Sequence, residues 1–157
     1  MADTRLLKDR IEPHVRKWLT QKYNLKFESQ EIALKLITGG QHRFDAVSKD
    51  RSMVAGIKSS RLRNYKSKRS IGTGTIKAVF TELYYLSLVE VNRKALILTN
   101  KGFYDLFCKK SKGKVAKGIE ILYCPLTEEI EAETLRIHDA CSREIGKQVE
   151  RRQTKKG

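Results

Sequence analysis

The stretch FDAVSKDRSMVAGIKSS, residues 44–60, places two apolar runs on either side of a short polar turn. Asp45 lies in the first run, and Lys58 ends the second run, MVAGIK. Side chains alternate between the two faces of a strand, so Val54, Gly56 and Lys58 share one face. The pattern predicts two paired strands that bring a carboxylate and an ammonium group together at one end of a sheet, with Gly56 beside them.

The hydrophobic pattern outside this stretch predicts helices and strands in alternation. Residues 3–23 have the apolar spacing of an amphipathic helix, and residues 25–36 alternate partly, as a strand does. After the hairpin, the pattern predicts a helix from about Thr75, a strand at 93–99, a helix at 100–112, a strand at 118–124, and a last helix capped by Thr127. Residues 61–75 contain no acid and no apolar periodicity, which predicts a basic, partly mobile loop.

This order predicts an α/β fold with a mixed sheet of about five strands flanked by helices. The first three strands should be antiparallel neighbours, and the later strands, joined by helical crossovers, should run parallel to each other. At 157 residues we expect a single domain over 1–157, with a frayed basic tail at 147–157.

The chain is strongly basic, with 33 Lys and Arg against 18 Asp and Glu, a net charge of +15. Such a field attracts polyanions, nucleic acid above all. The sequence has no apolar run of the roughly 18 residues that a membrane span needs and no secretory h-region, so we expect no membrane partner and an intracellular, cytoplasmic protein. The three cysteines and three histidines are scattered, which is not typical of a disulfide framework or a zinc site.

Basic residues cluster twice along the chain. The first cluster directly follows Lys58 and has Tyr65 within it; its members are Arg61, Arg63, Lys66, Lys68 and Arg69. Basic side chains neutralise phosphates, so this cluster is predicted to bind nucleic acid. The second cluster is interpreted as a solvated helix face; its members are Lys101, Lys109, Lys110, Lys112, Lys114 and Lys117.

With Asp45 and Lys58 placed on neighbouring strands, the chain resembles the PD-(D/E)XK nuclease superfamily, the restriction-endonuclease-like fold. The resemblance covers nearly the whole element order, and its motif lies in residues 45–58. It implies that Asp45 binds Mg²⁺ or Mn²⁺, that Lys58 stabilises developing charge or orients water, and that the protein is a metal-dependent endonuclease. It also implies phosphodiester hydrolysis in nucleic acid, DNA favoured over RNA, and a possible homodimer.

Gly56 departs from this family pattern, which places Asp or Glu two residues before the lysine. Three explanations remain open. The acid has moved to another element, with Glu82 as the first candidate and Glu28 and Glu31 behind it; the site is naturally degenerate; or glycine is a disabling substitution. In the first case Glu82 joins Asp45 and Lys58 as a catalytic residue.

Two other functions remain open beside the nuclease. A non-catalytic nucleic-acid-binding protein on the same fold would keep Asp45 and Lys58 only as a structural ion pair. A basic protein-interaction module would instead bind an acidic partner, without metal.

Overall fold

The computed structural model describes residues 4–65 and 68–154. Within them it contains four α-helices and seven strands. These are α1 (Thr4–Tyr23), β1 (Phe27–Ala33), β2 (Gln41–Ser48), β3 (Met53–Lys58), β4 (Arg63–Tyr65), β5 (Lys68–Ser70), α2 (Thr73–Ser87), β6 (Arg93–Leu98), α3 (Lys101–Lys110), β7 (Ile119–Tyr123) and α4 (Glu128–Thr154). The predicted element order is confirmed, apart from the segment before α2.

Five strands form a mixed sheet in the order β1-β2-β3-β6-β7. β1, β2 and β3 are antiparallel neighbours, and β3, β6 and β7 run parallel. Both predictions about strand direction are therefore confirmed. β3 is the central strand, and the three parallel strands β3, β6 and β7 all begin at one edge of the sheet and end at the opposite edge. We call these the amino edge and the carboxyl edge.

Both faces of β3 are buried, as is usual for a central strand with a parallel neighbour. Val54 belongs to an apolar cluster to which α2 contributes Val79 and Leu83. Met53 and Ala55, which alternate with Val54, are also buried. The cluster on the Val54 face extends to β6 and α3 through Leu96, Leu98, Phe103 and Phe107. This packing fixes α2 directly over the face that carries Gly56 and Lys58.

Local signals in the sequence account for several helix ends. α1 stops before Asn24, whose φ of 55° is the left-handed conformation that asparagine tolerates after a helix. Asn100 caps α3, because its Oδ1 accepts the N–H of Phe103 at 2.8 Å. Thr127 Oγ1 accepts the N–H of Ile130 at 3.3 Å, which confirms the predicted cap of α4.

Part of the basic segment after Lys58 is paired as strands, which the loop prediction for 61–75 did not include. β4 and β5 form a small hairpin, in which Arg63 pairs with Ser70 and Asn64 with Arg69. A two-stranded hairpin outside the main sheet buries little surface, so it needs no apolar alternation. For this reason hydrophobic periodicity could not reveal it.

By its internal contacts the chain divides into two compact units. Glu12–Pro125 contains the whole sheet, and the described residues of 1–11 and 126–157 form the other unit. α4 continues to Thr154 and so overlaps the tail predicted at 147–157; fraying of that tail stays a prediction. No helix within the described residues is long and apolar enough to cross a membrane.

The turn between β2 and β3 is held by side-chain hydrogen bonds. Asp50 Oδ1 accepts the hydroxyls of Ser48 and Ser52 at 2.7 Å each, and the N–H of Ser52 at 3.0 Å. Ser48 Oγ in turn accepts the N–H of Met53 at 2.9 Å. Arg51 adopts a left-handed φ of 58° at the turn. The hydrogen bonds from the Ser52 hydroxyl, the Ser52 N–H and the Ser48 hydroxyl lower the pKa of Asp50 below its ordinary value of 3.8.

Asp50→Ala should therefore destabilise the protein at neutral pH and much less in acid. A carboxyl group whose pKa is lowered by folding stabilises the fold above its unfolded pKa, and this contribution is lost as the pH falls through the folded value. Denaturant unfolding of both proteins between pH 7 and pH 2 measures the difference. A difference in the free energy of unfolding that stays constant over this range would contradict the role given to the Asp50 carboxylate.

Candidate active site at the carboxyl edge

The predicted site lies where β3 ends and α2 crosses over it. The carboxyl ends of parallel strands are the usual place for ligands in α/β sheets, since loops and helix ends converge there. Lys58 is the last residue of β3 and is partly buried, with 28% of its side chain exposed. β2 runs antiparallel to β3, so the first residues of β2, His42 among them, lie at this same edge.

Glu82 occupies the space that a side chain at Gly56 would need. It projects from α2 towards β3, and only 7% of the residue is exposed. A Cβ atom built on Gly56 would lie 2.5 Å from both Cγ and Oε1 of Glu82, closer than such atoms approach in proteins. Glu82 therefore points inward, and α2 places its carboxylate over the backbone of Gly56.

Two nitrogen atoms flank the buried Glu82 carboxylate. Its Oε2 lies 3.7 Å from Nζ of Lys58 and 3.6 Å from Nε2 of His42. Both separations exceed the usual hydrogen-bond length of about 2.7–3.2 Å. Lys58 therefore forms an ion pair with Glu82 without a direct hydrogen bond, and the His42 ring lies beside the same carboxylate. A buried carboxylate needs such partners, because an isolated charge inside a protein is costly.

Sequence reasoning did not assign His42 to the site. Its ring stacks on Tyr85 of α2, with centroids 4.0 Å apart and planes 10° apart, and forms a T-shaped pair with Phe44, with centroids 4.7 Å apart. Nε2 is buried and has no hydrogen-bond partner within the described part of the chain. A lone histidine in a sequence carries no signal by itself; only its strand position, beside the end of β3, could have suggested it.

Asp45 does not pair with Lys58, contrary to the prediction from the hairpin. Its Oδ2 accepts the N–H of Ile57 at 2.8 Å, which turns the carboxylate towards the backbone of β3. The Asp45 carbonyl accepts a hydrogen bond from Arg16 of α1 at 2.9 Å. The ion pair of Lys58 within the described residues is with Glu82 instead. The two carboxylates thus both lie against the backbone of Gly56 and Ile57, one from β2 and one from α2.

Glu28 and Glu31, the reserve candidates for the missing acid, lie on β1 and are exposed. Glu31 pairs with Arg43 at 3.7 Å across the β1–β2 ladder. Neither lies beside Gly56, so Glu82 is the acid that the fold brings there.

The basic cluster after Lys58 lies on and before the β4–β5 hairpin. Arg61 is half-buried, Lys68 and Arg69 are exposed on β5, and Lys66 lies outside the described residues. The guanidinium of Arg63 lies against Gly72, where a Cβ would be 3.0 Å from its Nε. Gly72 is the residue before α2, so the Arg63 side chain packs against the start of the helix that carries Glu82.

Two neighbouring tyrosines of α2 differ in exposure: Tyr85 is half-buried, and Tyr84 is 55% exposed. Burial raises the pKa of the Cys124 thiol to about 12, so this cysteine is not a nucleophile at neutral pH. The Cys108 thiol is half-buried, and burial likewise raises its pKa.

The side chains at this site provide few ligands for a metal ion. Within residues 4–65 and 68–154, no group of three or more His, Cys, Asp or Glu side chains is arranged to hold an ion. The nearest ligands are the carboxylates of Asp45 and Glu82, which lie against the same stretch of β3 backbone. Nε2 of His42, which is buried and has no hydrogen-bond partner among the described residues, lies next to Glu82. Mg²⁺ keeps several waters and commonly takes one or two carboxylates from a protein, so Asp45 and Glu82 are the two side chains here that could contribute to such a site.

Comparison of the chain with protein-family models, curated proteins and solved structures gives no significant match. The assignment of a function therefore rests on the residues and their geometry.

Proposed function

We propose that the protein is a metal-dependent endonuclease with a restriction-endonuclease-like core, acting on nucleic acid and most readily on DNA. The observation that carries this proposal is the Glu82 carboxylate in the space over Gly56. It supplies, from α2, the acid that the PD-(D/E)XK pattern takes from the strand. Asp45, Glu82 and Lys58 then form the expected group of two carboxylates and one ammonium.

In this function Asp45 and Glu82 would hold Mg²⁺ or Mn²⁺, together with a backbone carbonyl. When bound, the ion would supply polarisation of the scissile phosphate and a lowered pKa for the attacking water. Lys58, at the wet end of β3, stabilises charge that develops on the phosphate. His42 and its stacking partner Tyr85 keep the Glu82 carboxylate in place.

The basic side chains around the β4–β5 hairpin bind the phosphate backbone of the substrate in this proposal. They follow the last residue of β3 directly in the chain, so they bring the polyanion to the edge where Lys58 lies. Their positive charge also gives the binding a steep dependence on salt.

The ion pair between Glu82 and Lys58 favours one alternative, a nucleic-acid-binding protein without catalysis. In that function Lys58 simply neutralises a buried carboxylate, and no metal ion binds. Metal affinity separates the two functions, because only the nuclease needs both carboxylates for an ion.

The test measures Mn²⁺ binding by calorimetry and cleavage of labelled single-stranded and duplex DNA in Mg²⁺. Asp45→Asn and Glu82→Gln keep the side-chain shapes but remove the charges. We expect each to weaken Mn²⁺ binding at least about tenfold, since even groups that only support metal ligands have effects of that size. The matched control is Glu90→Gln, which removes an exposed carboxylate paired with Lys35.

Glu90→Gln should bind Mn²⁺ and cut DNA as the unmodified protein does. Binding of DNA without any Mn²⁺ affinity in the unmodified protein would refute the nuclease and leave the binding protein. Cleavage that survives both Asp45→Asn and Glu82→Gln would place the chemistry elsewhere.

A further inference from the structure

The amino edge of the sheet, opposite the candidate active site, is also strongly basic. β3, β6 and β7 are parallel, so their first residues, Met53, Arg93 and Ile119, lie at one edge. The turn before β3, the segment before β6 and the segment between α3 and β7 therefore meet there. Exposed basic residues in these three segments and at the strand starts include Lys49, Arg51, Arg93, Lys109, Lys110, Lys112, Lys114 and Lys117.

The α3–β7 segment holds the greatest density of charge. Residues 109–117 include five lysines, all exposed, and no acid occurs from residue 106 to residue 119. The sequence interpretation as a solvated helix face fits Lys109 and Lys110, which lie in the last turn of α3 and favour its dipole. It does not fit the other three, because they follow the end of the helix.

Ordered backbone presents these lysines. The N–H of Lys114 donates to the carbonyl of Ser111 at 2.8 Å, and the N–H of Ile119 donates to the carbonyl of Ala116 at 3.3 Å. Gly113 and Gly118 have φ values of 76° and 88°, the left-handed conformation that favours glycine and lets the chain turn twice within a short segment. A fixed backbone lowers the entropic cost of binding a partner through these side chains.

A recess at the same edge adds an aromatic and a guanidinium group. It has a volume of about 270 Å³ and lies at the start of β3 and β6; its lining residues are Tyr23, Leu25, Ser52, Met53, Asn92 and Arg93. The guanidinium carbon of Arg93 lies 4.9 Å from the centre of the Tyr23 ring, so the cation is held over the aromatic face. Arginine held in this way presents its donors to a phosphate in a defined direction.

Acidic groups at this edge are few. The Asp50 carboxylate accepts hydrogen bonds from the serines of its turn, and Glu90 forms an ion pair with Lys35. Glu120 of β7 is near enough to Tyr23 to raise the pKa of its phenol, although burial raises it more. The balance of charge at the amino edge stays strongly positive.

We propose that the amino edge binds the phosphate backbone of a second nucleic-acid segment, while the carboxyl edge holds the segment to be cut. The six residues of β3 separate the two edges by about 20 Å, at about 3.3 Å a residue, and the edges face opposite ways. A segment bound across one edge therefore leaves the other edge accessible. The protein would hold two segments of a branched or looped substrate at once. This proposal extends the proposed function but requires no cleavage.

The test removes charge from the lysine-rich segment alone. Lys110, Lys112 and Lys114 are changed together to Gln in one variant and to Arg in a second. A control variant carries Lys8→Gln, Lys17→Gln and Arg136→Gln, which lowers the net charge equally at exposed helix positions. Affinity for a labelled duplex is measured across salt concentrations in EDTA, so that nothing is cut.

We expect the three-lysine Gln variant to reduce the slope of log affinity against log salt by about 2–3, near one for each phosphate that a lysine no longer neutralises. The Arg variant and the control should keep the slope. In a second assay, protein is added to a duplex on beads and captures a different labelled duplex. The Gln variant should lose this bridging while still cutting a short single strand in Mg²⁺ at the unmodified rate.

A Gln variant with the unmodified salt slope and unmodified bridging would overturn the proposal. It would also show that bridging, if present, comes from two copies of the chain joined elsewhere. Failure of the nuclease would have a different outcome: no strand would be cut in Mg²⁺, yet the Gln variant would still lose its salt slope and bridging in EDTA.

Discussion

Gly56→Glu should abolish cleavage, even though it restores the acid that the family motif has at this position. Glu82 already fills the space beside Gly56, and a Cβ at residue 56 would lie 2.5 Å from its Cγ. Two buried carboxylates in one site would also repel each other. We expect Glu82 to be displaced, the Lys58 ion pair to break, and cleavage to fall by about 10²–10³-fold, as when an electrostatic group is removed from an active site.

The double variant Gly56→Glu with Glu82→Ala should recover part of this activity. Glu82→Ala removes the side chain that lies over position 56, and Gly56→Glu places one carboxylate in that space from β3. Gly56→Ala with Glu82→Ala is the matched control, since it has the same room and no acid, and it should remain inactive. Cleavage rates in Mg²⁺ and Mn²⁺ for the three variants, with unfolding curves to confirm folding, provide the measurement.

Equal activity of the two double variants would show that no carboxylate is needed at this place. Full activity of Gly56→Glu alone would show that the Glu82 side chain can leave without consequence. Either result would contradict the role given to Glu82.

Phe44→Ala should destabilise the protein by about 3–5 kcal/mol, a large part of the stability of an ordinary domain. Phe44 has no exposed surface and belongs to the apolar cluster under α2. Its ring also contacts that of His42 in a T-shaped pair, and His42 lies beside Glu82. Removing it leaves a cavity between β2 and α2 that the surrounding helix and strands cannot fill without moving.

Phe44→Leu retains most of the volume and should cost no more than about 1.5 kcal/mol, as conservative core changes do. Urea unfolding of both variants gives the free energies. Because Asp45 is the next residue, Mn²⁺ binding by the Leu variant shows whether the site survives a small change in the core. A destabilisation by Phe44→Ala below about 1 kcal/mol would mean that this part of the core is loosely packed, against the cost expected for a buried ring.

The hydrophobic pattern was sufficient to predict the main sheet and the helices around it. Two apolar runs on either side of a polar turn indicate the β2–β3 pair, and the helical spacing of Val79, Leu83 and Leu86 places the α2 face on the core. The same spacing directs Glu82 inward, because it lies beside Leu83 and one turn from Val79. The sequence could therefore name Glu82 as the first candidate for a second carboxylate.

Other features depend on three-dimensional contacts that no local pattern records. Lys58 and Asp45 are on neighbouring strands, yet α2 supplies the nearer carboxylate, and Asp45 turns to the N–H of Ile57. His42 enters the site only because β2 begins beside the end of β3. The β4–β5 hairpin pairs through its backbone, which its polar composition does not reveal.

The Glu82 side chain fills the space beside Gly56, so the sizes of residues 56 and 82 depend on each other. A larger residue at 56 is tolerated only if residue 82 becomes smaller, so substitutions at the two positions should occur together in related chains. A search for an acid two residues before the lysine would overlook such chains. A search for a small residue there, together with an acid on the inward face of the following helix, would find them.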